Sequence, residues 1–294
     1  APVPEGEDIR PAGEDVREGE CVIPKGTVLR PAEIGMLASL GRSFIQVFQR
    51  PQVAILSTGD ELVDIDGNVT PGRIVNSNSY SLASQVRECG GRPIQLGIAR
   101  DSQEEVERLL RVGLDSHVLL TTGGVSVGDY DFVKDALTSL GAEIKLWKVA
   151  MKPGKPLAFG VVRGKPVFGL PGNPVSSMVS FEQFVRPSLL KMQGHRRLFR
   201  PVINATLTHD IRKTPGRRHF VRSVVSLRDG NYEVAPLGAQ GSNILHSMVR
   251  SNGLLIFPET MSELQAGSSV KVQLLDRRFE LQEKADYGLG GEGR

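Results

Sequence analysis

The sequence predicts an α/β protein. A mainly parallel, doubly wound sheet with helices on both faces is expected, with a small C-terminal all-β domain and a short N-terminal extension. Three observations carry this. Between Gln52 and Met192, short apolar runs such as Val53-Ala54-Ile55-Leu56 alternate with segments of helical period. Strands buried on both faces read as such runs, and their alternation with helices marks a parallel sheet. After Gly194 no helical period competes strongly, and strand-like segments follow one another. Finally, 33 glycines and 18 prolines, about one residue in six, occur without a triplet period and so mark tight loops.

Residues 1–50 are read as the extension. Pro31 to Leu40 is expected to be a short helix, because Pro31 suits a first helical position and Gly41 a stop. Phe44-Ile45-Gln46-Val47-Phe48 alternates like a strand. The α/β domain is expected over 51–195. Its strands start with Val53 to Leu56, Pro93 to Ala99 and His117 to Leu120. Ile144 to Val149, Leu157 to Val162 and Pro166 to Gly169 complete the set. Its helices run from Asn78 to Cys89, from a cap at Asp101 or Ser102, from Phe132 to Leu140, and from Val175 to Met192 with a kink or break at Pro187. The β-domain, barrel-like or a sandwich, is expected over 196–281. Asp229-Gly230 is its strongest hairpin turn, and 282–294 reads as a flexible tail.

Composition narrows the function. Apolar residues make up 39% and charged residues 23%, which suits a packed core and argues against disorder. No apolar run approaches the ~20 residues of a membrane helix, and polar, proline-rich Ala1 to Arg10 shows no signal peptide. A net charge of +3 suits an anionic small molecule, and 5% aromatics argues against a nucleic-acid surface. Cys21 and Cys89 lack disulfide or zinc spacing and fit a reducing cytoplasm.

In open α/β sheets, ligands bind beyond the carboxyl ends of the strands. The loop after the first strand, Ser57-Thr58-Gly59-Asp60-Glu61, offers hydroxyls and adjacent carboxylates. The second strand ends at Arg100-Asp101. The third gives Thr121-Thr122-Gly123-Gly124-Val125-Ser126-Val127-Gly128-Asp129-Tyr130-Asp131, whose glycines let backbone N–H groups approach an anion. Another loop is Leu170-Pro171-Gly172-Asn173-Pro174-Val175-Ser176, and Lys152-Pro153-Gly154-Lys155-Pro156 adds two ammonium groups. Carboxylates beside anion donors make sense where Mg²⁺ bridges acid and phosphate, although each acid alone serves equally well as a helix cap or loop solvator. The five histidines lack metal-ligand spacing.

These motifs together resemble the molybdopterin molybdenumtransferases, bacterial enzymes related to the E domain of gephyrin, from about Gly6 to Asp276. The resemblance implies an Mg²⁺-dependent, homodimeric, cytoplasmic enzyme. It would insert molybdenum from molybdate into adenylylated molybdopterin and release AMP. It implies Glu61, Asp101 and Asp131 as the catalytic acids around the metal, and Gly123, Gly124, Ser126 and Gly128 with Thr122 as the pterin-phosphate loop. Ser57, Thr58, Gly59 and Asp60 line the same crevice by motif. Lys152 and Lys155 would hold molybdate or phosphate, and Pro171, Gly172, Asn173 and Pro174 would shape the pocket. Arg218, Ser242 and Ser247 transfer from a less distinct β-region. Other cofactor-biosynthesis proteins are implied partners; nucleic acid and membrane are not. The family's lid-like domain is expected upstream of this sequence, with Gly6-Glu7-Asp8-Ile9-Arg10 matching the return from it. Two alternatives stand beside this reading: a molybdopterin adenylyltransferase, against which the extra β-domain speaks, and a gephyrin-like binding or scaffold module.

Overall fold

The structure, a computed structural model, describes residues 2, 4–124 and 132–281. The expected tail at 282–294 lies outside the described residues. The N-terminal segment is extended around a single helix, α1 (Pro31–Ser39), which buries none of its residues. Phe44 to Phe48 is not a strand. Alternation alone does not make one, because a strand needs a neighbour for its backbone groups. Phe44 is 95% exposed, and the Phe48 ring lies instead against Gly194, where a Cβ would come within 2.2 Å of it.

The chain then enters the first sheet through β1 (Gln52–Thr58) and a flap of two short strands, β2 (Leu62–Val63) and β3 (Ile74–Val75). Next come α2 (Ser77–Glu88), β4 (Arg92–Ala99), α3 (Gln103–Gly113), β5 (Val118–Thr122) and α4 (Phe132–Ser139). β6 (Glu143–Trp147), β7 (Met151–Lys152), β8 (Ala158–Val162), β9 (Lys165–Leu170), α5 (Pro174–Ser180) and α6 (Arg186–Met192) complete this half. The strand order is β4-β1-β5-β9-β8-β6. The first four strands are parallel, and β8 runs antiparallel to both of its neighbours.

Side chains of a strand alternate between faces, and β1 shows the consequence. Ala54 and Leu56 pack with Val106, Leu110, Val133 and Leu137 of α3 and α4, while Val53 and Ile55 pack with Leu82 and Val86 of α2 and with Phe181 and Leu189. The helices after β1 and β5 thus cover opposite faces. Adjacent strands whose connections diverge in this way open a crevice at their carboxyl ends.

Local signals place the helices. Asn76 caps α2 by accepting the Ser79 N–H at 3.3 Å, and Ser102 rather than Asp101 caps α3 through the Glu105 N–H at 3.4 Å. α5 passes into α6 through a π-turn at Phe181–Val185, and Pro187 is the second residue of α6. Proline has no N–H for the helical ladder, and the ladder widens by one residue there instead of breaking.

The second sheet is built from β10 (Val202–Leu207), β11 (Ile211–Arg212), β12 (Arg218–Arg228), β13 (Asn231–Pro236), β14 (Gly253–Phe257), β15 (Glu263–Leu264) and β16 (Ser269–Leu274). β11 and β15 pair separately. β13, β10, β16, β14 and β12 are neighbours in that order, and β13 also pairs with β12, so the five close on themselves around Val221, Val234, Leu255 and Val272. Asp229 (φ 48°) and Gly230 (φ 76°) turn β12 into β13, with Arg228 opposite Asn231. Both turn residues have positive φ, which matches the twist of a tight hairpin. A short helix, α7 (His246–Arg250), was not signalled by the sequence pattern. β7, from the first half of the chain, joins this second sheet beside β12 and sets Lys152 opposite His219.

Candidate functional site

The carboxyl ends of β1 and β5 open into a cavity of 1420 Å³ between the first sheet and the barrel. Thr58, Gly59 and Glu61 enter it from the first loop, Asp101 from the end of β4, and Thr122, Gly123 and Gly124 from the end of β5. Lys152, Pro153, Gly154, Lys155 and Pro156 form one wall, and Pro171, Gly172, Asn173, Pro174 and Ser176 another. The barrel contributes Arg217 and the strap Gln240-Gly241-Ser242-Asn243.

Two glycines make the close approach possible. Gly123 has φ 93°, and a Cβ there would sit 2.5 Å from the Thr58 carbonyl oxygen. At Gly124, φ 63°, a Cβ would meet Val133 Cγ2 at 2.5 Å. Only glycine tolerates both the dihedral and the crowding. The Gly123 N–H donates to the Leu170 carbonyl at 3.2 Å, which ties the third loop to the end of β9.

The acids are held by their own loops. The Asp60 N–H donates to Asp101 Oδ2 at 3.3 Å, and the Asp101 N–H donates to Asp60 Oδ1 at 3.2 Å. Arg100 Nη1 donates to the carbonyls of Asp60 and Leu62 at 3.0 and 3.2 Å. Asp60 therefore braces the loop beneath Asp101 and does not line the cavity. Ser57 lies below the floor, its hydroxyl donating to Asn76 Oδ1 at 3.0 Å. Thr58, next along the strand, faces the cavity.

On the barrel side, Arg218 pairs with Glu259 at 3.0 Å and is not part of the lining, whereas Arg217 is. Ser247 is buried below the strap. It accepts from Arg222 Nε at 3.1 Å and donates to the Ile244 carbonyl at 2.7 Å. The fully buried Arg222 also donates to the Gly241 carbonyl at 3.0 Å, and Gln240 grips the Arg222 backbone at both its N–H and its carbonyl. Burial pushes the Arg222 guanidinium down to about 10. Ser242 lines the cavity, and its carbonyl accepts the Val175 N–H at 3.1 Å. The buried His219 is pushed down to about 4, first by burial and then by Lys152.

Of the sequence-predicted residues, the structure thus brings Thr58, Gly59, Glu61, Asp101, Thr122, Gly123, Gly124, Lys152, Lys155, Pro171, Gly172, Asn173, Pro174 and Ser242 to one cavity. It sets Ser57, Asp60, Arg218 and Ser247 outside the lining. Ser126, Gly128 and Asp131 lie outside the described residues. Sequence reasoning offered the arginines of Gly216-Arg217-Arg218 to an oxyanion but settled on Arg218 where Arg217 lines the cavity, and it missed Gln240, Ile74, Val75 and the start of α2, Asn76-Ser77-Asn78. The polar run at the α2 cap is the signal that could have shown the last of these.

The cavity sets the cations Lys152, Lys155 and Arg217 against the carboxylates Glu61 and Asp101. No group of three or more metal-ligating side chains occurs among the described residues. Two separated carboxylates facing fixed cations suit a cation shared with a phosphate, which is how Mg²⁺ is usually held.

The fold is a mostly parallel α/β sheet with a barrel appended, and the cavity between them collects cations, carboxylates and a glycine turn. The family profile of a probable molybdopterin binding domain matches residues 54–191. Those of the MoeA C-terminal region (domain IV) and the MoeA N-terminal region (domains I and II) match 204–275 and 1–41. The chain is 35% identical over 270 residues to the molybdopterin molybdenumtransferase of Haemophilus influenzae, covering 91% of this chain and 67% of that protein. It is 38% identical over 273 residues to molybdopterin molybdenumtransferase 2 of Mycobacterium tuberculosis, again covering 91% and 67%. A molybdopterin biosynthesis MoeA protein from Pyrococcus horikoshii superposes with a TM-score of 0.78 at 32% identity, over 90% of this chain and 64% of that one. The chain belongs to the molybdopterin molybdenumtransferase family, enzymes of molybdenum cofactor biosynthesis.

Proposed function

We propose that the chain carries the site at which molybdenum from molybdate enters adenylylated molybdopterin with release of AMP. The observation that supports this most is the meeting of Lys152, Lys155 and Arg217 with Glu61 and Asp101 in one cavity. Both substrates are anions and repel each other in a partly dry cleft, so fixed cations and N–H groups are needed to hold them together. In this reading Lys152, Lys155 and Arg217 hold phosphate and molybdate oxygens. The Gly123-Gly124 turn cradles the pterin phosphate, and the Pro171-Gly172-Asn173-Pro174 turn shapes the wall beside it. Glu61 and Asp101 hold Mg²⁺, with Asp131 assigned to the same role by motif. When bound, the ion neutralises charge on the phosphoanhydride and on the departing AMP. An oxygen of molybdate or water bonds to phosphorus as the P–O bond to AMP breaks, and two Mo–S bonds form to the dithiolene as its two thiol protons leave with a molybdate oxygen as water.

The same reading makes the protein a cytoplasmic homodimer that works beside other cofactor-biosynthesis proteins. It divides the chain at 50/51 and 195/196. No helix among the described residues is long and apolar enough to cross a membrane. The chain spans about two thirds of the length of the curated relatives it matches.

Molybdate-dependent AMP release from adenylylated molybdopterin tests the proposal. Wild type is expected to release AMP, and Glu61→Gln to lose the release. Release unchanged in Glu61→Gln removes Glu61 from its role. Adenylylation of molybdopterin from ATP, without response to molybdate, would overturn the reading.

A further inference from the structure

We propose that Asn78 is a positioning residue that locks two of the cavity's loops into one cradle. It stands in the first turn of α2 and is half-buried at the cavity wall. Its Nδ2 donates to Thr122 Oγ1 at 2.8 Å and to the Gly172 carbonyl at 2.8 Å. Thr122 Oγ1 in turn donates to the Pro171 carbonyl at 3.2 Å. One amide from a third element therefore ties the end of β5 to the turn after β9, at the root of the Gly123-Gly124 loop. A Cβ at Gly172 would lie 3.6 Å from Gly123 Cα, so the two loops touch where this amide bridges them.

The chemistry of the partners fixes which residue types serve. A carbonyl oxygen only accepts, and a hydroxyl that donates to Pro171 must accept from Asn78. Both contacts require N–H donors, so the Asn78 amide has a single workable orientation. Alanine leaves both acceptors without a donor. Aspartate, of the same size, presents a carboxylate oxygen to the Gly172 carbonyl and repels it. A role in positioning therefore predicts that Asn78→Asp does more harm than Asn78→Ala. A role in filling space predicts the reverse.

Two measurements on the full chain test this. The first is amide hydrogen exchange without ligand. Segments 119–124 and 168–174 are expected to exchange at least tenfold faster in Asn78→Ala and faster still in Asn78→Asp, with segment 202–207 unchanged. Exchange within twofold of wild type in both segments overturns the proposal. So does equal acceleration of 202–207, because that reports a general loss of stability. The second measurement is affinity for adenylylated molybdopterin, expected to weaken at least tenfold in Asn78→Ala with a larger loss in Asn78→Asp. Loosened loops with unchanged affinity overturn the positioning role. This arm rests on the function proposed above. If wild type itself fails to bind, that reading falls, and the exchange result still decides whether Asn78 locks the loops.

Discussion

The two halves of the molecule reach the cavity by different routes. The first sheet delivers its groups from loops at the carboxyl ends of β1, β4, β5 and β9, of which β1, β5 and β9 are largely buried and β4 is a half-exposed edge strand. The barrel delivers Arg217 from the residue just before β12 and the Gln240–Asn243 strap from a segment held over Arg222. In the first half a side chain's position follows from topology. In the second it follows from register and from one buried guanidinium. β7 joins them, since it leaves the first half and pairs with β12 in the second.

The largest expected effect lies where the halves meet. Lys152→Ala removes a fixed cation from the wall and is expected to lower molybdate-dependent AMP release by about 10²–10³-fold, the scale of losing one preorganised electrostatic donor. A loss below about threefold would place the anion elsewhere. Next comes His219, opposite Lys152. Its folded value of about 4 lies below the ordinary 6.5, so between those values the unfolded chain binds a proton that the folded chain refuses. Its contribution to stability is full above pH 6.5 and is lost as pH falls towards 4, by up to about 3 kcal/mol at about 1.4 kcal/mol per unit. Thermal unfolding of His219→Gln against wild type over that range should show the slope flattened.

The barrel's register gives a sharper contrast. Arg217→Ala is expected to weaken AMP release about tenfold, an effect of about 1.4 kcal/mol, whereas Arg218→Ala, paired with Glu259, should stay within about twofold. Equal effects would erase the distinction between the two arginines. The smallest change is Gly230→Ala, where φ is 76°. It should cost about 1 kcal/mol in denaturant unfolding and leave AMP release unaltered, because the β12–β13 turn carries no cavity residue.

The same contrast explains what was legible in the sequence. The continuous apolar runs gave away β1 and β5, and Gly123-Gly124 announced a close approach that the fold makes against Thr58 and Val133. Legibility ended where a single residue step decides the outcome. Ser57 and Thr58 are adjacent on β1, yet one is under the floor and the other in the cavity, because successive strand side chains face opposite ways. Arg217, just before β12, lines the cavity while Arg218, the first residue of β12, pairs with Glu259, and no pattern in the barrel sequence marks which one turns inward. Asn78 reads from sequence as an ordinary helix start, since its partners Thr122 and Gly172 are 44 and 94 residues away along the chain. Phe44 to Phe48 alternates like a strand but is given no partner to pair with among the described residues. α7 has five residues, too few to show a period.

The central claim is that both halves grip one anionic guest. Calorimetric binding of adenylylated molybdopterin to wild type, Lys152→Ala, Arg217→Ala and the double variant tests it directly. If the two cations hold the same guest, each single substitution weakens binding about tenfold or more and the double variant binds more weakly than either. Affinity unchanged in either single variant would contradict the account.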